Sequence, residues 1–203
     1  MNRLLIKNIN IINEGIKTSG DIYIEGEFIK KIGVDLKFDN EMKIIDGNGR
    51  IAIPGMIDDQ VHFREPGLTH KGDISSESKA AIAGGVTSYF EMPNTFPNTT
   101  SRKEFKKKIQ IASKNSFANF SFMFGGTNDN IDEIKKLDDK DVAGIKLFLG
   151  SSTGKMLIDN KNSIEKIFKS SSLPISAHCE DEQTIKDNTC LLYTSPSPRD
   201  RYG

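Results

Sequence analysis

The stretch "GMIDDQVHFREPGLTHK", Gly55 to Lys71, decides how this chain is read. Its first half has the composition of a strand. Its second half turns on Pro66 and Gly67, residue types that punctuate regular structure. Side chains alternate along a strand, so Gln60, His62 and Arg64 project to the same face. Two side chains at i and i+2 near a strand end can reach one metal ion. Histidine at both positions would be a strong metal signal. Here the first position holds Gln60, whose neutral amide oxygen is a weaker zinc donor than imidazole. His62 is the candidate ligand, and the part played by Gln60 stays open.

Outward from this stretch, strand and helix patterns alternate, the signature of α/β architecture with parallel strands. Strands are expected near 56–62, 86–92, 117–124, 143–149 and 174–178. Helices are expected near 73–83, 102–114, 130–137 and 160–171, on apolar spacings such as Phe105, Ile109 and Ala112. Five such units fit a doubly wound sheet or part of an eight-stranded barrel. No G-x-G-x-x-G follows a strand, which weakens the dinucleotide-binding form. In barrels the chemistry sits at the C-terminal ends of strands, and the polar residues here lie there. The expected fold is therefore α/β: a partial (β/α)8 TIM barrel of about five of the eight units, over 55–189. A small β-rich domain, residues 1–54, precedes it, with β-rich runs at 4–13, 21–33 and 43–55 separated by glycine-containing turns.

Bulk properties exclude several classes. The 203 residues carry 28 Lys plus Arg against 28 Asp plus Glu, so no electrostatic case exists for nucleic acid or membrane. The segment "KEFKKKIQ" (103–110) reads as a solvated helix face without aromatic interleaving. The N-terminus has neither a long apolar run nor a small-residue cleavage site. Two cysteines, Cys179 and Cys190, form no disulfide framework, and a cytoplasmic setting is expected. Cys179 is expected to be a packing residue.

Two further strand ends carry chemistry. "SAHCEDE" (176–182) puts His178 at the end of the fifth strand. "GIKLFLGSSTG" (144–154) puts Lys146 between Ile145 and Leu147, where burial disfavours its charged form. A neutral amine can react with carbon dioxide to give a carbamate, an anionic oxygen ligand able to bridge two cations.

Taken together, "PGMIDDQVHFREPGLTHKGDI" (54–74), "AAIAGGVTSYFEMPNTFPNTT" (80–100), "GIKLFLGSSTG" and "SAHCEDE" resemble the dihydroorotase family of the amidohydrolase superfamily, in the long form with an N-terminal β domain. "REPG" and "MPNT" are the specific parts. The resemblance implies hydrolytic opening or closing of a cyclic amide, dihydroorotate to N-carbamoyl-aspartate, in pyrimidine biosynthesis. It implies two zinc ions bridged by carboxylated Lys146, with His62 and His178 as ligands. It gives Arg64 and Asn94 to the substrate carboxylate, a role suited to the guanidinium fork. The general-base aspartate would come from a later strand and is unassigned. Gln60 departs from the family's histidine, leaving open two metals, one metal, or a homologue without activity. Hydantoinases and allantoinases share the plan and are the nearest alternatives. Expected partners are a small carboxylate-bearing substrate, a second copy in a homodimer, and aspartate transcarbamoylase.

Residues 190–203, "CLLYTSPSPRDRYG", hold two of the seven prolines and continue no helical or strand rhythm. They resemble the translation of a sequencing adapter and are expected to be a non-native tail. A five-strand sheet cannot close, so residues 1–203 alone are expected to be inactive.

Overall fold

The structure is a computed structural model that describes residues 2–137, 140, 142–150 and 156–194, with Glu182 and residues 191–194 described by backbone alone. Residues 195–203 of the expected non-native tail, and 151–154 of the "GSSTG" segment, lie outside the described residues. The chain divides into two compact units, Met1–Gly55 and Met56–Gly203.

The first unit is a five-stranded sheet. β1 (Arg3–Asn13) pairs antiparallel with β2 (Ile16–Glu25), which pairs antiparallel with β3 (Phe28–Gly33). β4 (Lys43–Asp46) and β5 (Ile51–Ala52) both run parallel to β1. The run 21–33, read from sequence as one β-rich stretch, is a hairpin. It folds back at Gly26, whose φ of +62° is one that residues with a side chain rarely adopt. β1 is bulged between Ile6 and Ile9, and buried Asp21 accepts the Asn8 N–H at the bulge.

In the second unit, β6 (Met56–Val61), β7 (Val86–Glu91), β8 (Asn119–Gly125), β9 (Gly144–Phe148) and β10 (Ile175–His178) form one all-parallel sheet. Its spatial order is the chain order, β6-β7-β8-β9-β10. A doubly wound sheet would reverse direction at a switch point. Sequential order without reversal is that of a (β/α)8 barrel, here a half-barrel of five strands.

The connecting helices are α1 (Ile74–Ala83), α2 (Arg102–Asn115), α3 (Ile131–Ile134) and α4 (Lys161–Ser170), followed by α5 (Glu182–Thr194). Their starts are set by side chains that accept the first free N–H groups. Asp73 accepts from Ser76 N at 2.7 Å, Ser101 Oγ from Glu104 N, and Asn160 Oδ1 from Asn162 N and Ser163 N. α3 is a single turn, shorter than the expected 130–137. α5 reaches Thr194, so the first five residues of the expected irregular tail are helical. Nothing in "CLLYT" forbids a helix. Among the described residues no helix is long and apolar enough to cross a membrane.

The core lies between sheet and helices. Phe63, Tyr89, Phe122, Phe124, Ile145 and Leu147 meet Ile74, Phe105, Ala112 and Ile167 from the helices. Each large apolar side chain buried there is worth about 1.5–3 kcal/mol. The alternation also defines the opposite face of the sheet. With Val61, Phe63, Ile145, Leu147, Ile175 and Ala177 turned to the helices, Gln60, His62, Lys146, Ser176 and His178 all project to the other side.

Candidate active site

The site residues come from β6 at one edge of the sheet and from β9 and β10 at the other, and they share one rim because a parallel sheet brings every C-terminal strand end to the same side. In the β9–β10 register Lys146 stands opposite Ser176, and Phe148 opposite His178. Lys146, 3% exposed, donates from Nζ to Gln60 Oε1 at 3.0 Å and lies 3.4 Å from Ser176 Oγ. Its ammonium is 5.4 Å from the Phe148 ring centroid. Burial pushes the Lys146 amine below its usual range, and Cys179 and Asp59 oppose that shift. The lowered value favours the neutral form, which is the form that adds carbon dioxide.

His62, one residue beyond β6, hydrogen-bonds the Asn94 side chain. Its pKa lies below the ordinary value, chiefly through burial and then the Arg64 charge, with the Asn94 bond acting the other way. A neutral imidazole keeps a lone pair available to a metal or a proton. His178 is half exposed, and its Nε2 lies 3.2 Å from Glu180 Oε1. Glu180 is thus the partner that orients this ring.

Arg64 does not continue the strand alternation. Its φ is +70°, a left-handed conformation costly for a residue with a side chain. Its N–H donates to Glu91 Oε1 at 3.0 Å, and its carbonyl accepts from Leu68 N at 3.0 Å. This bend ends the strand alternation before Arg64, whose charge still acts on His62. Arg64 Nη1 is buried and has no hydrogen-bond partner among the described residues. Asn94, 6% exposed, is also buried, on the loop from Met92 to Thr100. Phe96 N of that loop donates to Pro66 O at 3.0 Å, joining it to the "REPG" segment.

Three residues near the site were not picked out by the sequence patterns. Ser176 touches Lys146, while Glu91 and Lys108 form a fully buried ion pair at 2.5 Å. The expected solvated face at 103–110 is corrected here: Lys108 is 0% exposed, on the same stripe of α2 as Phe105 and Ala112. The local signal was only the place of Lys108 in the apolar stripe of α2 beside Phe105 and Ala112; its partner comes from another element. Burial pushes the Glu91 carboxyl up and the Lys108 amine down, and each partner opposes the shift of the other. Cys179 is exposed rather than packed, another correction.

As metal donors the residues present fit in part. Among the described residues, no group of three or more His, Cys, Asp or Glu side chains could hold a cation. The set instead consists of two imidazoles and a lysine that becomes an oxygen donor only when carboxylated. The Gln60 amide oxygen, the fourth candidate, is taken by the Lys146 amine.

The family model described as dihydro-orotase-like matches residues 49–193. A dihydroorotase of Methanosarcina mazei is 36% identical over 181 residues, 88% of this chain and 40% of that protein. An allantoinase of Desulfitobacterium hafniense is 32% identical, over 93% of this chain and 43% of its own length. Among solved structures, L-hydantoinase (dihydropyrimidinase) from Arthrobacter aurescens superposes with a TM-score of 0.89 at 26% identity, covering 97% of this chain and 45% of that one. The chain thus spans about two fifths of the length of the curated relatives it matches.

Proposed function

This chain belongs to the dihydro-orotase-like family, and on that premise we propose that the whole protein is a metal-dependent cyclic amide hydrolase, a dihydroorotase interconverting dihydroorotate and N-carbamoyl-aspartate. One observation carries the choice of substrate: the buried Arg64 Nη1 has no protein acceptor among the described residues. A buried guanidinium nitrogen without an acceptor is costly, and a substrate carboxylate supplies one. The ring of dihydroorotate bears such a carboxylate, whereas hydantoin and allantoin do not.

In this reading Arg64 pairs with the carboxylate and Asn94 both orients His62 and lines the same pocket. His62 and His178 offer imidazole nitrogens to a divalent cation, zinc by donor type, with Lys146 carboxylated as the oxygen donor. When bound, the cation supplies Lewis acidity and lowers the pKa of water at the site. Gln60, facing Lys146, then holds the lysine rather than the cation. Glu180 orients His178, in the manner of carboxylates behind metal-binding histidines.

Turnover of dihydroorotate, hydantoin and allantoin by the whole protein tests the proposal. Dihydroorotate is expected to be preferred, and R64M to raise its KM by about 10- to 100-fold, the worth of a charge-assisted bidentate pair. Faster turnover of either uncharged ring refutes the assignment of Arg64. That result would support a hydantoinase-like activity, an alternative consistent with the fold shared with an L-hydantoinase. The engagement of Gln60 by Lys146 favours a further reading, a homologue without activity that supports aspartate transcarbamoylase. Zinc below about half an equivalent per chain, with no turnover of any ring, would select it.

A further inference from the structure

We infer that the buried Glu91–Lys108 pair is a positioning device that sets Arg64 and Asn94 at the spacing a substrate carboxylate requires. The inference rests on the proposed acid-ring hydrolase reading and adds to it two residues on the helix side of the sheet.

Glu91 and Lys108 are both 0% exposed, which is unusual for either type. Such a pair is weak evidence of stability, because desolvating two charges costs about what their attraction returns. Apolar residues of the same volume would fill the space at least as well. What apolar residues cannot do is hold specific backbone groups, and each member of this pair holds one.

Glu91 Oε1 accepts the Arg64 N–H at 3.0 Å, at the residue whose φ of +70° most needs external support. Its other oxygen, Oε2, meets Lys108 Nζ at 2.5 Å. Lys108 Nζ also donates to Met92 O at 2.9 Å, two residues before Asn94, and stands 5.0 Å from the Phe122 ring centroid. One ion pair therefore grips the backbone at Arg64 with one hand and the backbone leading to Asn94 with the other. Met92 N donates to Val61 O at 3.0 Å, so the loop start is also pinned to the end of β6. Lys108 comes from α2, a rigid element anchored by Phe105 and Ala112. Neither side chain faces the substrate side of the sheet, so neither is a catalytic residue.

Two charge-neutral double variants of the whole protein isolate this role. E91Q/K108M removes both charges but keeps an amide oxygen able to accept the Arg64 N–H. E91L/K108M removes the charges and the acceptor together. Both should melt cooperatively near the wild-type temperature. E91L/K108M should raise the KM for dihydroorotate about tenfold while leaving kcat, and the KM for hydantoin, within about threefold. E91Q/K108M, which keeps an acceptor for the Arg64 N–H but lacks the Lys108 donor to Met92 O, should recover only part of that loss. A KM for dihydroorotate within about twofold of wild type in E91L/K108M overturns the inference, as does an equal rise for both rings. If both doubles lose the cooperative melt, the pair is structural support and the positioning role falls. Wild-type protein that turns over no acidic ring sinks the functional reading and this inference with it. Wild-type turnover with an unmoved KM in E91L/K108M sinks the inference alone.

Discussion

Gly67→Ala should be among the most damaging single methyl additions in the second unit. Gly67 has φ of +85°, where an alanine costs about 1–2 kcal/mol through its Cβ. Space is the larger problem. A Cβ there would fall inside the van der Waals shell of the Phe96 carbonyl oxygen, 2.7 Å from the carbonyl carbon and 2.8 Å from the Phe96 Cβ. Ordinary carbon contacts are about 3.5–4.0 Å, so the two loops must part by about 1 Å. That separation breaks the Phe96 N to Pro66 O hydrogen bond, worth about 1 kcal/mol net, because the chain cannot move at Gly67 without moving its neighbour. The sum is about 2–3 kcal/mol. Urea unfolding of the whole protein, followed by circular dichroism, should show the midpoint falling with an unchanged slope. The same displacement separates the loops that bear Arg64 and Asn94, so the KM for dihydroorotate should rise as well. A loss below about 0.5 kcal/mol would refute the claim that these two loops are in obligatory contact.

Two further outcomes concern the helices that carry the site. Ser101→Ala removes the acceptor for Glu104 N at the start of α2 and should cost about 1 kcal/mol in the same urea assay; no loss would mean that water caps this helix equally well. The Asp73 carboxyl lies below its ordinary value because Ser76 donates to it from both backbone and side chain. A depressed folded pKa gives stability that is full above the unfolded value, about 3.9, and is lost as pH falls through the folded value. D73N keeps a capping oxygen but cannot titrate, so its midpoint should fall less than wild type between neutral pH and about pH 3. Parallel acid limbs for the two proteins would contradict this.

Much of the strand-and-helix order was legible because period-2 and period-3.6 apolar patterns are local properties. "VTSYFE", "NFSFMF" and "GIKLF" each read as strands and are β7, β8 and β9. His62, Lys146 and His178 could be placed on strand ends, and alternation put each on the face away from the helices. The hairpin inside 21–33 and the helical start of "CLLYT" were less legible, since tight turns and helix ends are set by only a residue or two and carry no repeating pattern. A lysine-rich helix such as α2 looks solvated from composition alone. That Lys108 is buried depends on where Glu91 comes to rest on another element, and no local pattern contains that pairing.

The amino-acid order by itself settled the alternation of parallel strands and helices and the chemical types gathered at their ends, because periodicity and residue type act within a few positions. Only the tertiary structure decided that the sheet runs in chain order, that Gln60 meets Lys146, and that Arg64 bends out of its strand onto Glu91. Those outcomes join groups as far apart as 86 residues, and the contacts exist only once the chain has folded.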